Sequence, residues 1–561
     1  IHLNYVGTAR PIHDAKGKAT GYTKYAGDLS LPNMAYLCML HSKIPHGYVK
    51  AVHAEKALAL PGVYGVYHCL NTSDRKYNRY RSSFNQAYLA NEERAFNQYV
   101  RFVGDKIGVV AACDQETAER AARLVEVEYE ELPFSIGFDD TLAGKNCLEG
   151  ETPVRDEYTL EVGKKQESTE GLIEVCSTME LPRLHHATME THACIADYDP
   201  YSDMLTVYCP NQAVHGIRTV LADFLEMPES HVRVVKATMG GSFGAKQEWF
   251  LEPVTALVAK KLCRPVKLVY SRGEAMTDTI VRGAMRMSAR GYYTPDGEMK
   301  EIYCDVTLDA GAYIGNAGDY VRALAGKPTR CYRIPYMHYH GQVISSNSPV
   351  SGAFRSWSAA EEALMMERQL DAAAEKLGMD RLAIRLKNVA RSGEEDKKLH
   401  LSLEDIRIGD AITLGSEKFG WDKLKAEDAA FNASQQRYRR GVGIGIGGHG
   451  NTYFPRFNDY GEGSISLNAD GSMQANFTLH DHGCGTVTAM RMIAAEVLKV
   501  PEDKIHMTEG DTAVTPIDYG CFASRTTYVV GRAVQDAANA LRKKMLHAAS
   551  ELLDVPEDEL C

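Results

Sequence analysis

The chain has 561 residues, is 44% hydrophobic and 24% charged, and carries a formal net charge of -11 with no long basic run. That is about three or four domains' worth of globular chain. The charge argues against nucleic acid and anionic membrane surfaces as partners, and no apolar run reaches the about 18 residues that a membrane-crossing helix needs. Thirteen cysteines are scattered from Cys38 to Cys561 without a C-x-C or C-x-x-C pair, which argues against iron–sulfur or zinc-ribbon ligation within this chain. The odd count, with no signal peptide at Ile1-His-Leu-Asn-Tyr5, predicts reduced thiols and a cytoplasmic location. Because the first residue is not Met, the natural start is expected upstream.

In chain order, residues 1–14 read as an extended lead-in and 15–135 as a small α/β domain. Val109-Val-Ala-Ala112 predicts a strand, Asp114 an N-cap with Glu116 near the helix's positive end, 116–124 the helix, and 125–129 an alternating strand, together a β-α-β unit. Residues 136–180 are polar and read as a linker. A second region spans 181–392. Within it, Asn211-Gln212 precedes a helix with Val214, Ile217, Leu221, Phe224 and Leu225 on one face, ended by Met227-Pro-Glu229 before a strand at 231–235.

Next comes Met239-Gly-Gly-Ser-Phe-Gly-Ala-Lys-Gln-Glu248, followed by a helical pattern over 248–262. Strand, glycine loop and helix in that order would aim free N–H groups and a positive dipole end at an anion or oxo group. It is not a P-loop: Ala245 stands where the second glycine should be and Gln247 where a magnesium-binding hydroxyl should be. Apolar Leu364, Met365, Leu370 and Ala374 predict a helix over Ala359–Leu377, stopped by Gly378. Residues 393–437 read as a charged connector with one or two short helices, and 438–561 as a third region. Gly443, Gly445 and Gly448 match a dinucleotide-binding spacing, but no helix pattern follows, so that site is rejected.

The second and third regions share a pattern. Cys484-Gly485 precedes a helix with Val487, Met490, Ala494, Val497 and Leu498, ended by Val500-Pro-Glu502 before a strand near Ile505; Gln212 to Pro228 and Gly485 to Pro501 are both sixteen positions. Two related α+β domains with facing ligand loops are expected. A further echo, Val555-Pro-Glu557, allows the alternative that this is only a common helix-stop phrase.

Five loops can present backbone N–H groups to one ligand: 210–212, 240–244, 352–357, 482–485 and 520–525. The Gly-Gly-Ser-Phe-Gly and Ala353-Phe-Arg355 phrases, with the wording of 21–28, resemble the molybdenum hydroxylases of the xanthine dehydrogenase and aldehyde oxidase family, from about residue 15 onward. The resemblance implies a mixed α+β fold: a hammerhead-like N-terminal α/β domain and two molybdopterin-binding domains, the second incomplete here. It implies a molybdenum–molybdopterin cofactor, with the cytosine dinucleotide form left open, and no protein side chain as a direct metal ligand. Gln212, Phe243, Arg355 and Ala523 are then expected near the metal. Gly241, Ser242, Gly244, Gly483, Cys484, Gly485, Ser524 and Arg525 would hold the rest of the cofactor. Trp357 and Tyr453 would sandwich a flat substrate ring, with Gln247 and Arg322 as polar contacts. Cys484 in place of Gln departs from the family's usual Gly-Gln-Gly and weakens one hydrogen bond.

No catalytic residue is assigned. The family's general-base glutamate is expected beyond Cys561, so the chain is expected to be truncated or half of a split subunit. The implied activity is hydroxylation of a purine or other N-heterocycle at an electron-poor carbon, with water-derived oxygen. Iron–sulfur and FAD subunits are the implied partners, in a possible homo-oligomer of such complexes. Alternatives are an aldehyde oxidoreductase and a non-catalytic scaffold; a carbon monoxide dehydrogenase is discounted because Ser356 occupies its copper-binding cysteine position. The histidines at 185, 186, 192, 480 and 482 fit no zinc template.

Overall fold

The computed structural model describes residues 3–80, 91–148, 150, 152–434, 437–451 and 458–560. It is a mixed α+β structure built on two large sheets. The seven-stranded sheet runs in the order Val232–Lys236, Met204–Cys209, Ala193–Asp199, Val266–Val269, Ala35–His41, Lys106–Ala112, Val63–His68. Three N-terminal strands and four from the second region therefore share one sheet. They join where Ala35–His41 runs parallel to Val266–Val269. Lys106–Ala112 is buried at every position, as a strand covered on both faces must be.

The β-α-β unit forms locally: Asp114 caps the helix Gln115–Ala122 by accepting from Thr117 N–H at 2.7 Å. Its two strands, however, enter different sheets. Glu126–Glu131 pairs with Gly47–His53 instead of lying beside Lys106–Ala112. Its alternating pattern half-buries one face and exposes the other, which suits a small outer sheet and not the doubly covered one.

The polar 136–180 segment is not a loop-rich linker. It holds Val154–Gly163 and Ile173–Leu181, the two edge strands of a five-stranded sheet whose inner strands are Ala284–Tyr293, Met299–Asp309 and Tyr336–Ile344. Both strands are largely solvent-facing, so their composition reads as polar. Ala359–Leu377 forms as expected, capped by Gly378 at φ 64°, and buries Met365, Met366, Leu370, Ala373 and Ala374 against this sheet. The connector holds two helices, Ile408–Phe419 and Trp421–Ser434.

The repeat extends from sequence into topology. Val214–Leu225 ends at left-handed Glu226 (φ 54°), then a 3-10 turn Glu229–His231, then a strand parallel to Met204–Cys209. Thr486–Leu498 ends at left-handed Lys499 (φ 58°), then Glu502–Lys504, then Ile505–Thr508 parallel to Met473–Phe477. Gly531–Leu553 ends in the same way at Asp554 and Glu557–Glu559, so the stop alone is a recurring device. The shared strand–helix–parallel strand order is what relates the first two. The two units face each other: Val235 bridges Asp511, and Arg233 holds Asp511 through two bonds of 3.0 and 2.6 Å. No helix among the described residues is long and apolar enough to cross a membrane.

Candidate active site

Three of the singled-out loops meet at Gln212. Its N–H donates to Lys246 O at 2.8 Å, and its carbonyl accepts from Cys521 N–H at 2.9 Å. Its side-chain amide donates to Cys521 O, and its Oε1 accepts from the Ser242 hydroxyl. Ser242 Oγ in turn accepts from Lys246 N–H at 3.0 Å. One buried glutamine thus ties the loops of both repeat units into one floor.

The glycine loop is irregular beyond its glycines. The helix behind it starts only at Glu252, with Pro253 in its first turn, so 245–251 is a set of turns and not the expected helix start. Gly241, Phe243 and Gly244 all have positive φ, 87°, 58° and 103°. A phenylalanine held left-handed and 47% exposed is costly on both counts, which marks a functional constraint. Gly244 is required twice over: its φ is left-handed, and a Cβ there would stand 2.7 Å from Ala353 O. The N–H groups of Gly241, Ser242, Phe243 and Gly244 donate to nothing among the described residues. Four consecutive unpaired donors are thereby available to an anion, without a helix dipole behind them.

The 352–357 loop closes over it. Arg355 N–H donates to Phe243 O at 2.8 Å. The Phe354 ring lies between the His186 imidazole, 4.2 Å away and nearly parallel, and the Arg282 guanidinium, 4.3 Å from its centroid. Arg282 also donates to Arg355 O at 2.8 Å and to Glu361. The backbone of Arg355 is thereby fixed while its side chain is exposed, and its guanidinium has no hydrogen bond or ion pair among the described residues. Ser356, Trp357 and Ser358 follow with φ of 83°, 32° and 61°, three left-handed non-glycine residues in a row. Trp357 packs between Tyr320 at 5.0 Å and Tyr80 at 6.2 Å.

In the second unit, Asp481 accepts from Gly483 N–H at 2.8 Å and Val487 N–H at 3.2 Å, setting the start of Thr486–Leu498. The Cys484 thiol lies 2.9 Å from Thr486 Oγ1, turned to its own loop. Ala523 and Ser524 are both left-handed, at 52° and 49°.

Family models for the molybdopterin cofactor-binding domain match residues 151–389 and 414–561, and one for the aldehyde oxidase and xanthine dehydrogenase a/b hammerhead domain matches 20–133. A probable xanthine dehydrogenase subunit of Bacillus subtilis (strain 168) is 31% identical across 98% of this chain and 72% of its own length. The xanthine dehydrogenase molybdenum-binding subunit of Escherichia coli O157:H7 is 29% identical across 96% of this chain and 72% of its own. The chain belongs to the xanthine dehydrogenase and aldehyde oxidase family. It is a molybdopterin-binding subunit of these molybdenum-containing oxidoreductases. The fold is also that of quinoline 2-oxidoreductase from Pseudomonas putida 86, with a TM-score of 0.90 at 23% identity over 100% of this chain and 73% of that one.

For a family member, the floor fits an anionic, oxo-bearing cofactor: unpaired N–H groups at 241–244, a free guanidinium at Arg355, and the Gln212 amide, bonded to Ser242 and Cys521, tying the loops beneath. Gln247 is buried, and its amide makes no hydrogen bond among the described residues. Two of the expected contact residues have guanidinium groups engaged by carboxylates of this chain. Arg525 is 1% exposed and bound to Asp459 at 2.8 Å, Asp518 at 2.6 Å and Tyr460 O at 2.6 Å. Its guanidinium clamps the loop from beneath. Arg322 is engaged by both oxygens of Asp156 on the five-stranded sheet, because strand 154–163 brings that carboxylate under it. Tyr453 lies outside the described residues.

Sequence reading gave no bracing role to Glu248, and it set the histidines aside as a metal site. Glu248 is buried, accepts from Ala353 N–H at 3.2 Å and Asn316 at 3.1 Å, and is pushed by burial up to about 8. His186 Nε2 bonds Ala353 O at 2.8 Å and His192 Nε2 bonds Ala245 O at 3.0 Å; burial pushes them down to about 4 and about 3. These neutral histidines are loop supports.

Proposed function

We propose that this subunit holds the molybdenum–pterin site of a hydroxylase that oxidises a purine or another N-heterocycle. The observation that carries the reading is the run of four unpaired N–H groups at 241–244, tied through the Phe243 carbonyl to Arg355, whose guanidinium is free, in the loop that carries the half-buried Trp357. When bound, the cofactor supplies an activated oxygen nucleophile derived from water and accepts the electrons of the oxidation.

The chain's own residues then bind and orient. Gly241 to Gly244 offer N–H donors to oxo or other anionic atoms at the centre. Arg355, permanently charged, stabilises negative charge at the rim of the floor. Trp357, half-buried, would offer a flat ring the part of its indole that Tyr320 and Tyr80 leave uncovered, with Tyr453 expected opposite. The Gln247 amide can donate and accept along a heterocycle edge but offers no charge. Ala523 and Ser524 close the floor from the second unit, and Gly483 and Gly485 face the pterin side. The cytosine dinucleotide form, the iron–sulfur and FAD subunits and a homo-oligomer of such complexes belong to the same proposal. The absence of C-x-C and C-x-x-C pairs motivates the iron–sulfur subunit, and the family resemblance carries the others.

The test is molybdenum and pterin quantification on the complex purified from its native host, followed by a substrate screen of purines, other N-heterocycles and aldehydes. Stoichiometric molybdenum with heterocycle turnover is expected. Turnover of aldehydes alone would replace the substrate assignment, and folded protein without molybdenum would favour a scaffold.

A further inference from the structure

Glu190 lies in a phrase, His186-Ala-Thr-Met-Glu-Thr-His192, to which neither the cofactor floor nor the substrate pocket assigns a role. Its carboxylate oxygen Oε2 accepts from Gly240 N–H at 2.7 Å and from Lys246 Nζ at 2.6 Å. Gly240 and Lys246 are the two ends of the loop that carries the unpaired N–H groups. One oxygen atom therefore closes that loop into a ring.

The Glu190 backbone N–H adds a bond to Gly240 O at 3.1 Å. No side chain is tolerated at 240, where a Cβ would stand 2.4 Å from Glu190 Cβ. The Lys246 side chain is 1% exposed and that of Glu190 13%, so removing either partner leaves a largely buried charge unpaired. The same short stretch holds Ala245 O through His192 and Ala353 O through His186. Arg272 fixes the turn between them by donating to Thr188 O at 2.5 Å and Met189 O at 3.0 Å.

The geometry points to Glu190 and Lys246 as positioning residues: a buried ion pair that sets the curvature of the Gly240–Lys246 loop, and with it the direction of the four N–H donors toward the cofactor. The inference rests on the proposed cofactor site. A side chain longer or shorter by one bond, or a pair without charge, leaves the chain folded but opens the ring. Lys246 also anchors Gln212 through its carbonyl, so opening the ring loosens the junction with the second repeat unit.

The experiment uses the complete complex, as wild type and with Glu190→Asp, Lys246→Met, and Glu190→Gln combined with Lys246→Met. Molybdenum per subunit, the thermal midpoint and the molybdenum EPR spectrum of the dithionite-reduced protein are measured. Glu190→Asp keeps the charge opposite Lys246 but draws the oxygen back by about 1.5 Å, one carbon–carbon bond. It is expected to keep a near-native thermal midpoint while losing about tenfold in molybdenum retention, the scale seen when supporting partners of a metal site are removed. The double variant is expected to melt above Lys246→Met alone, because no buried charge is left unpaired, yet to stay about tenfold low in molybdenum with a shifted EPR spectrum.

Wild-type molybdenum content and an unchanged spectrum in the double variant would overturn the inference, since the pair would then only neutralise itself. The same result in Glu190→Asp would overturn it independently, even if the other variants fail to fold. A wild-type complex without molybdenum would instead overturn the proposed function, and that is visible before any variant is made.

Discussion

Two arginines in similar small-residue loops are expected to behave oppositely. Arg355 has a fixed backbone and an unpartnered guanidinium, so Arg355→Met should leave stability within about 0.5 kcal/mol of wild type while depressing turnover. Arg525 is buried against Asp459 and Asp518, so Arg525→Met strands two carboxylates and should cost about 3–5 kcal/mol. Denaturant unfolding beside an activity assay separates the cases; equal stability loss in both would refute the assignment. Nothing local distinguishes them in sequence, because the carboxylates that capture Arg525 stand 66 and 7 positions away. At Trp357, truncation to alanine should weaken binding of a heterocyclic substrate by about 1 kcal/mol, about fivefold in KM, through lost stacking. An unchanged KM would place Trp357 outside the pocket and leave it as a partner of Tyr320 and Tyr80 alone.

Helices were legible where their apolar period is long and their ends are marked, as in Ala359–Leu377 with Gly378 behind it. The 248–262 pattern misled by four residues: Trp249, Phe250 and Leu251 are buried as turns in the core of the seven-stranded sheet, and burial without a helix has the same apolar signature. Sheet membership was less legible still. The pairing of Ala35–His41 with Val266–Val269 joins segments more than two hundred positions apart, and no local pattern encodes such a partner. The repeat was the exception, since sixteen-residue spacing and two stop phrases carried over into matching parallel strands. Leu370 tests the helix that carries the 352–357 loop. It is fully buried against the five-stranded sheet, so Leu370→Ala should destabilise by about 2–5 kcal/mol. Because the loop's own contacts run to 186, 243 and 282, molybdenum content at low temperature should survive the substitution. Its loss would mean that the helix, and not those contacts, sets the loop.

For the molecule as a whole, the buried ionisable groups set opposing limits on pH. Burial pushes Glu248 and Glu362 up to about 8 and Glu252 up to about 7. Between the ordinary glutamate value of about 4.3 and those values, the folded chain keeps protons that the unfolded chain has released. Stability contributed by these carboxyls is therefore present below about pH 4.3 and is lost as pH rises toward 8, by at most about 1.4 kcal/mol per unit for each group. His186, His192 and His215 act from the other side: burial pushes them down to about 4, about 3 and about 4. Below about 6.5 the unfolded chain takes up protons that these rings refuse, so stability falls as pH drops from there. Between about pH 4.3 and about 6.5 the two sets of slopes oppose each other, so these groups together predict a plateau across that range, with loss above and below it. Glu248→Gln isolates one term on the alkaline flank. A neutral amide reproduces the protonated carboxyl that accepts from Ala353 N–H and Asn316, so the variant should lose less stability than wild type between about pH 6 and about pH 8. Thermal midpoints measured across that range decide it. Parallel slopes would mean that Glu248 is already ionised in the folded chain and that the nearby Arg79 guanidinium, which favours its charged form, outweighs burial.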